Sequence, residues 1–307
     1  MTASSADPSP IVVVTGANGL VGSRVCEMLS ASGASVRAVV RRSGSAPRIA
    51  GVEELVGDFG DPTFAHSVVQ SATAVVSTVH PMGSDEETQR QVAVQGTPVL
   101  ARAAREAGVA RLVHISTAAV YDRSPETGDV DESSALVGDD AGDYAVTKRD
   151  TDAALAEIGG ITTVLLRPPA ILGSGPRSTW NALRPAAIRD HEAARRVTPD
   201  QTFAWVALDD LCALAADLAT GRIPTADDPA AGPLEGSCTP LNVAGSDYAT
   251  VRVYHETVCG ILGVEPAWQD APAWTGLFLA DRAREWGWSP AVNLADALAE
   301  LENDLRG

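Results

Sequence analysis

Short apolar runs alternate along this chain with stretches of helical spacing. Ile11 to Val14 opens "IVVVTGANGLVG", a β-branched run suited to a strand buried on both faces of a parallel sheet. "LVGSRVCEMLSASG" then has helical spacing and stops at Gly33, a glycine suited to ending a helix. "SVRAVV" predicts a second strand, "VEELVGD" a short third ending at Asp58, and Ala72 to Val79 a fourth. "ETQRQVAVQGTPVLARAAREAG" predicts a long helix with Pro98 as a kink, because proline lacks the N–H that a helix interior needs. "ARLVHIST" predicts a fifth strand, "DDAGDYAVTKRDTDAAL" a helix reaching about Glu157, and "ITTVLLRPP" a sixth strand.

Strands and helices in this alternation imply βαβ units, hence an α/β fold with a doubly wound parallel sheet. After Arg167 the pattern loosens through Pro168, Pro169, Gly173, Gly175 and Pro176. "VALDDLCALAADLATG" predicts a helix returning to the main sheet, "PLNVAG" a short strand, and three helical patterns finish the chain. The sequence shows no solenoid-type repeat.

Composition adds exclusions. The 307 residues are 45% hydrophobic and carry a formal net charge of −17. A chain this acidic is repelled by nucleic acid and by anionic membrane surfaces. No apolar run reaches the roughly 18 residues of a membrane span. Cys26, Cys212, Cys238 and Cys259 are far apart, with no CxxC pair. That usage is expected of reduced thiols in a cytoplasmic protein. "MTASSADPSP" lacks the basic and apolar parts of a signal peptide, so residues 1–10 are expected to be a flexible tail. Without HExxH or a Cys/His cluster, no metal is expected.

Gly16, Gly19 and Gly22 form G-x-x-G-x-x-G between the first strand and its helix. Glycines there permit a tight turn, close approach of a pyrophosphate, and close helix–strand packing. The helix N-terminus favours the phosphate charge. The fold expected is therefore a Rossmann-type NAD(P)-binding domain over residues 11–167, completed by parts of 203–245. Residues 168–307 are expected to form mostly a smaller C-terminal substrate-binding cap, interleaved with the main sheet. An acidic residue ending the second strand would bond the ribose 2′-OH of NAD, but this strand runs into Arg41 and Arg42. Two guanidiniums suit a 2′-phosphate, so NADP(H) is favoured over NAD(H). Asp58, after the third strand, can accept from an adenine amino group.

Tyr144 precedes Lys148 by four residues, which places both on one helix face roughly 6 Å apart along the axis. A phenol is a poor acid/base near neutrality, and a nearby cation is expected to lower its pKa. Alone, Y-x-x-x-K is commonplace. Thr117, at the carboxyl end of the fifth strand, adds a hydroxyl where open α/β sheets bind ligands.

With these motifs in this order, the sequence resembles the extended short-chain dehydrogenase/reductase family, in its epimerase/dehydratase-like branch. The resemblance rests on "TGANGLVG", "GDFGD", "HISTAAVY", "YAVTK", "LRPPAILG", "WVALDDLCAL" and "DRAREWGWSPAVNLADALAEL". It implies that Tyr144 is the catalytic acid/base, that Lys148 lowers its pKa and bonds the nicotinamide ribose, and that Thr117 orients the substrate oxygen. It implies a cofactor site of Gly16, Asn18, Gly19, Leu20, Gly22, Asp58 with its neighbour Phe59, Ser77, Thr78, Val79 and Pro168. His80, Ala118, Trp180 and Trp205 are candidates for substrate contact, and a homodimer through the tyrosine-bearing helix and its neighbour is expected.

Two departures bear on the reaction. Ala118 and Ala119 stand where sugar dehydratases carry an acidic pair, and Gln201 stands near where many nucleotide-sugar members carry an arginine. The expected function is hydride transfer between nicotinamide and a carbonyl or hydroxyl carbon of a small molecule. An NAD-dependent sugar or nucleotide-sugar epimerase with transient oxidation is the alternative, and a non-catalytic nucleotide sensor ranks below both because the chain keeps Thr117, Tyr144 and Lys148.

Overall fold

The structure, a computed structural model, describes residues 9–306. Most of the expected flexible tail, residues 1–8, lies outside the described residues. Pro10 is already tied down, its carbonyl accepting from the Ser35 N–H at 2.9 Å.

The chain enters through β1 (Ile11–Thr15), α1 (Leu20–Ala31), β2 (Ser35–Val40), β3 (Val52–Val56) and α2 (Pro62–Val69). It crosses to β4 (Ala74–Ser77), short α3 (Glu86–Gln89), α4 (Thr97–Glu106), β5 (Arg111–Ile115), α5 (Asp143–Ala156) and β6 (Thr162–Arg167). Next come β7 (Ala170–Leu172), α6 (Arg184–Asp190), β8 (Arg196–Val197), β9 (Trp205–Ala207), α7 (Leu208–Ala219) and β10 (Cys238–Asn242). The last segments are α8 (Val251–Leu262), β11 (Ala267–Trp268), α9 (Asp281–Glu285) and α10 (Leu294–Arg306).

Seven strands form one sheet in the order β10-β6-β5-β4-β1-β2-β3, and every pairing in it is parallel. All four residues of β4 and all six of β6 are buried, as expected for strands covered on both faces. One face buries Val12, Val14 and Leu29 with Leu211 and Leu214 of α7; the other buries Val13, Val75 and Leu112 with Leu100 and Leu155. A third cluster, outside the sheet, joins Leu172, Ile188, Phe203, Tyr254, Val258 and Leu301.

The strand order reverses between β1 and β4. A doubly wound sheet opens a crevice at such a switch point, beyond the carboxyl ends of its strands. Two expectations change in detail. The fourth strand stops at Ser77, and Thr78 leaves it to donate its hydroxyl to the Thr15 carbonyl at 2.8 Å. The long helix is not kinked at Pro98. The chain widens into a π-helical stretch over Arg90–Gly96, and Pro98 sits in the first turn of α4, where a missing N–H is tolerated.

Candidate functional site at the switch point

A cleft of about 1260 Å³ opens over the carboxyl ends of β1, β2, β4 and β5 and runs under the segments of the third cluster. At one end lies the glycine turn. Gly16 has φ +69°, a left-handed conformation that glycine adopts without strain. Gly19 donates its N–H to the Gly16 carbonyl at 2.8 Å and begins α1 with no side chain capping it. A Cβ at Gly22 would run into that same carbonyl, and one at Gly16 into the Thr78 hydroxyl. The turn is thus a backbone cradle at an uncapped helix N-terminus. It fits a pyrophosphate by shape and by its outward N–H groups.

Asn18, Leu20, Arg41, Arg42, Asp58, Phe59, Thr78, Val79 and His80 line the cleft beside this cradle. The Asp58 carboxylate accepts from the Gly60 N–H at 2.8 Å. The cradle is joined by Arg177, which donates to the Asn18 carbonyl at 2.6 Å. Ser77 and Pro168 are not in the cleft wall. Ser77 is wholly buried in β4, and the Pro168 carbonyl accepts from the Ala118 N–H at 2.8 Å, fixing the turn that carries Thr117.

Farther along the wall, Thr117, Ala118, Ala119, Tyr144 and Lys148 come together. Thr117 begins a single 3-10 turn, and its Oγ1 accepts from the Ala119 N–H at 3.1 Å. Tyr144 lies in the first turn of α5, and the His80 ring meets it edge-on at 5.0 Å between centroids. The His80 Nε2 bonds the Gln89 Oε1 at 3.0 Å, and burial pushes its pKa down to about 4, so the ring is neutral. Lys148 is 3% exposed and donates to the Ile115 carbonyl at 2.6 Å.

Burial sets the titration here. It pushes the Lys148 ammonium down to about 8, with the Asp152 charge acting in the other direction. Burial also raises the Tyr144 phenol above its ordinary value, and the Thr117 hydroxyl beside it acts against that rise. The expected lowering of the tyrosine by Lys148 does not enter this shift: desolvation raises the phenol, and what opposes it is the Thr117 hydroxyl.

Behind Lys148 lies a buried polar chain. Asp152 and Arg167, 3% and 5% exposed, pair at 3.0 Å. Arg167 donates to the Tyr121 hydroxyl at 2.8 Å, and that hydroxyl donates to the Asn242 Oδ1 at 2.8 Å.

A family model described as the NAD dependent epimerase/dehydratase family matches residues 12–220. The chain belongs to that family. Among curated relatives it is 29% identical over 168 residues to sterol demethylase protein B of Methylococcus capsulatus, covering 52% of this chain and 51% of that one. It is 32% identical over 176 residues to the 4-hydroxy-2-methyl-3-oxo-4-farnesyl-3,4-dihydroquinoline-1-oxide ketoreductase of Stigmatella aurantiaca, covering 52% and 50%. The chain spans about half the length of the curated relatives it matches. Among solved structures, the fold matches the Bordetella bronchiseptica enzyme WbmG in complex with NAD at TM-score 0.74 and 20% identity, covering 98% of this chain and 96% of that one. It matches a UDP-glucose 4-epimerase of Thermotoga maritima with UDP-glucose at TM-score 0.76 and 17% identity, covering 96% and 98%.

The substrate candidates of this family member separate. His80, Ala118 and Trp180 face the cleft. Trp205 does not: it is 1% exposed in the third cluster, its indole N–H donating to the Asp247 carbonyl at 3.0 Å. The residues just before β9, Thr202, Phe203 and Ala204, line the cleft instead. Gln201 lines the cleft, and of three arginines that precede it in the chain, Arg177 reaches the cleft too, whereas Arg195 bonds the Ile188 and Arg189 carbonyls and Arg196 pairs with Glu192. Arg123, Arg184, Tyr254 and His255 line the cleft without having been singled out by any sequence motif.

Proposed function

We propose that this protein is an NAD(P)-dependent oxidoreductase that reduces or oxidises a carbonyl or hydroxyl carbon of a small molecule. The observation that carries the reading is that Thr117, Tyr144 and Lys148 share one cleft with the Gly16–Gly22 cradle. Gly16, Asn18, Gly19, Leu20 and Gly22 would hold the pyrophosphate, Asp58 and Phe59 would lie at the adenine, and Thr78, Val79 and Lys148 would flank the nicotinamide half. The bound nicotinamide supplies or accepts the hydride.

The chain's own groups do the rest. The Thr117 Oγ1 already accepts from Ala119 and lies within hydrogen-bonding reach of the Tyr144 phenol, so with substrate bound its hydrogen would turn to the substrate oxygen that Tyr144 also reaches. Tyr144 gives that oxygen its phenolic proton in reduction and takes it back in oxidation. The charged Lys148 favours the phenolate left behind. The names of the relatives over the matching half, a ketoreductase among them, support net reduction. The segments of the third cluster would serve as the substrate cap. The test is loss of reduced-nicotinamide absorbance when the purified protein meets NADPH or NADH and a panel of ketones and aldehydes.

The alternative is an epimerase that oxidises and re-reduces one carbon without net cofactor turnover. The UDP-glucose 4-epimerase whose fold covers nearly the whole chain supports it. Protein that retains tightly bound NAD and consumes no reduced cofactor with any carbonyl would select this alternative.

Arg41 and Arg42, at the end of β2 in the cleft wall, support NADP(H) as the cofactor. Replacing both with alanine is expected to weaken NADPH more than about tenfold relative to NADH, the scale of lost charge-assisted bonds. Fluorescence titration of both cofactors checks it, and an unchanged ratio would reject the preference. The homodimer and the cytoplasmic location implied by the sequence belong to the same proposal. Light scattering of the purified protein would read a two-chain mass.

A further inference from the structure

The cleft is cationic in an acidic chain. Among the described residues its wall contains Arg41, Arg42, Arg123, Lys148, Arg177 and Arg184 but one carboxylate, Asp58, while the whole chain carries −17. Four of these cations are accounted for. Arg41 and Arg42 stand at the end of β2, Arg177 is bonded to the glycine turn, and Lys148 is bonded to Ile115.

Arg123 and Arg184 remain. Each guanidinium lies over an indole, Arg123 at 5.5 Å from the Trp274 ring centroid and Arg184 at 4.9 Å from that of Trp180. Trp274 is itself buried and held by its indole N–H on the Gly128 carbonyl at 2.9 Å. Neither arginine makes an ion pair or a side-chain hydrogen bond among the described residues. The carboxylate next to Arg123, that of Asp122, accepts from the Ser124 N–H instead. Burial lowers the Arg123 pKa, the mark of a cation taken from water without a carboxylate partner.

Arg184 is exposed, but Arg123 is half-buried, and a cation desolvated in a cleft and left unpaired is costly unless a ligand completes it. Stacking on a ring fixes the guanidinium plane while leaving its N–H fork free. We infer that Arg123, with Arg184 beyond it in the cap wall, binds an oxyanion carried by the substrate, a carboxylate or a phosphate, at the end of the cleft that holds Thr117 and Tyr144. This rests on the oxidoreductase reading for the turnover arm of its test, and on the geometry alone for the binding arm.

The binding arm uses the protein saturated with oxidised cofactor. Malonate, inorganic phosphate and the neutral dimethyl malonate are titrated by tryptophan fluorescence and thermal shift. One of the two anions is expected to bind and the diester is not, and which anion binds identifies the source of the charge. Arg123→Gln is expected to weaken the anion about 10–100-fold, as lost hydrogen bonds to a charged group do, and Arg123→Lys by less. Retained cofactor binding shows that each variant is folded, and Arg184→Gln repeats the test on the second site. The turnover arm compares acetoacetate with methyl acetoacetate, and dihydroxyacetone phosphate with dihydroxyacetone. One charged member should be favoured about 10–100-fold in kcat/KM, chiefly through KM, and the preference should collapse in Arg123→Gln. Equal binding of anion and diester, or an Arg123→Gln protein that keeps the discrimination, overturns the inference. Anion binding that depends on Arg123, without cofactor consumption by any carbonyl, leaves the inference standing and removes the reductase reading.

Discussion

Replacing Tyr144 with phenylalanine is expected to lower kcat for carbonyl reduction about a thousandfold, within the range that positioned proton transfer contributes, while cofactor affinity changes less than about threefold. The substitution deletes one oxygen. The ring stays in the first turn of α5 with the His80 edge against it, and Lys148 keeps its bond to the Ile115 carbonyl. What disappears is the phenol that stands with Thr117 and Lys148 in the cleft wall; the Tyr254 hydroxyl in the same wall is already donating to the Trp180 carbonyl. His80 is a poor substitute donor, because burial holds its ring neutral with a pKa of about 4. Steady-state kinetics with a cofactor titration check the result, and a variant within tenfold of the parent would remove Tyr144 from the chemistry.

The pH profile of the parent protein belongs to the same prediction. Lys148 is charged below its lowered pKa of about 8 and neutral above it. Its charge favours the phenolate that proton donation leaves behind. Reduction should therefore be fastest below pH 8 and decline as pH rises through that value. The Tyr144 phenol, pushed up by burial, stays protonated across this limb and does not cause it. A rate that is flat well beyond pH 8 would deny the ammonium this role.

The parts of the site legible in the sequence are those built by short stretches of chain. Gly16, Gly19 and Gly22 are confined to one turn, and Tyr144 and Lys148 to one helix face, so spacing alone places them together. Thr117 follows from strand order, since the carboxyl end of a parallel strand is where a ligand can sit. Single-residue direction is harder. Pro169 lines the cleft and its neighbour Pro168 does not, and Ala204 lines it while Trp205 does not; composition does not reveal which of two neighbours turns inward. The far end of the cleft is harder still. Arg123, Arg184 and His255 come from three segments that meet only through the third cluster and the Trp274 loop. Burial also reversed one electrostatic expectation: a Tyr–Lys spacing promises a lowered phenol, but spacing carries no information about desolvation.

Asp152 extends the Tyr144–Lys148 spacing by one more turn, and its partner Arg167 comes from β6. Arg167→Met is expected to destabilise the fold by about 3–5 kcal/mol, because it takes the ion-pair partner from a buried carboxylate. Burial already raises the Asp152 pKa in the parent, and Arg167 opposes that rise. Without Arg167 the folded-state pKa climbs further above the unfolded value. A group raised in this way is best accommodated when protonated, so the penalty should shrink as pH falls below its new folded-state pKa and be largest at neutral pH and above. Urea unfolding at pH 5.5 and pH 8 reads the difference, and an equal loss at both would mean that packing, not charge, sets the cost. The double variant Asp152→Leu/Arg167→Met should recover part of the stability, since replacing a buried pair whole is milder than breaking it. Asp152→Asn has a kinetic signature of its own. The Asp152 charge holds the Lys148 pKa up against burial, so its removal should move the alkaline limb of the rate below pH 8. A change confined to packing would lower the rate without moving that limb.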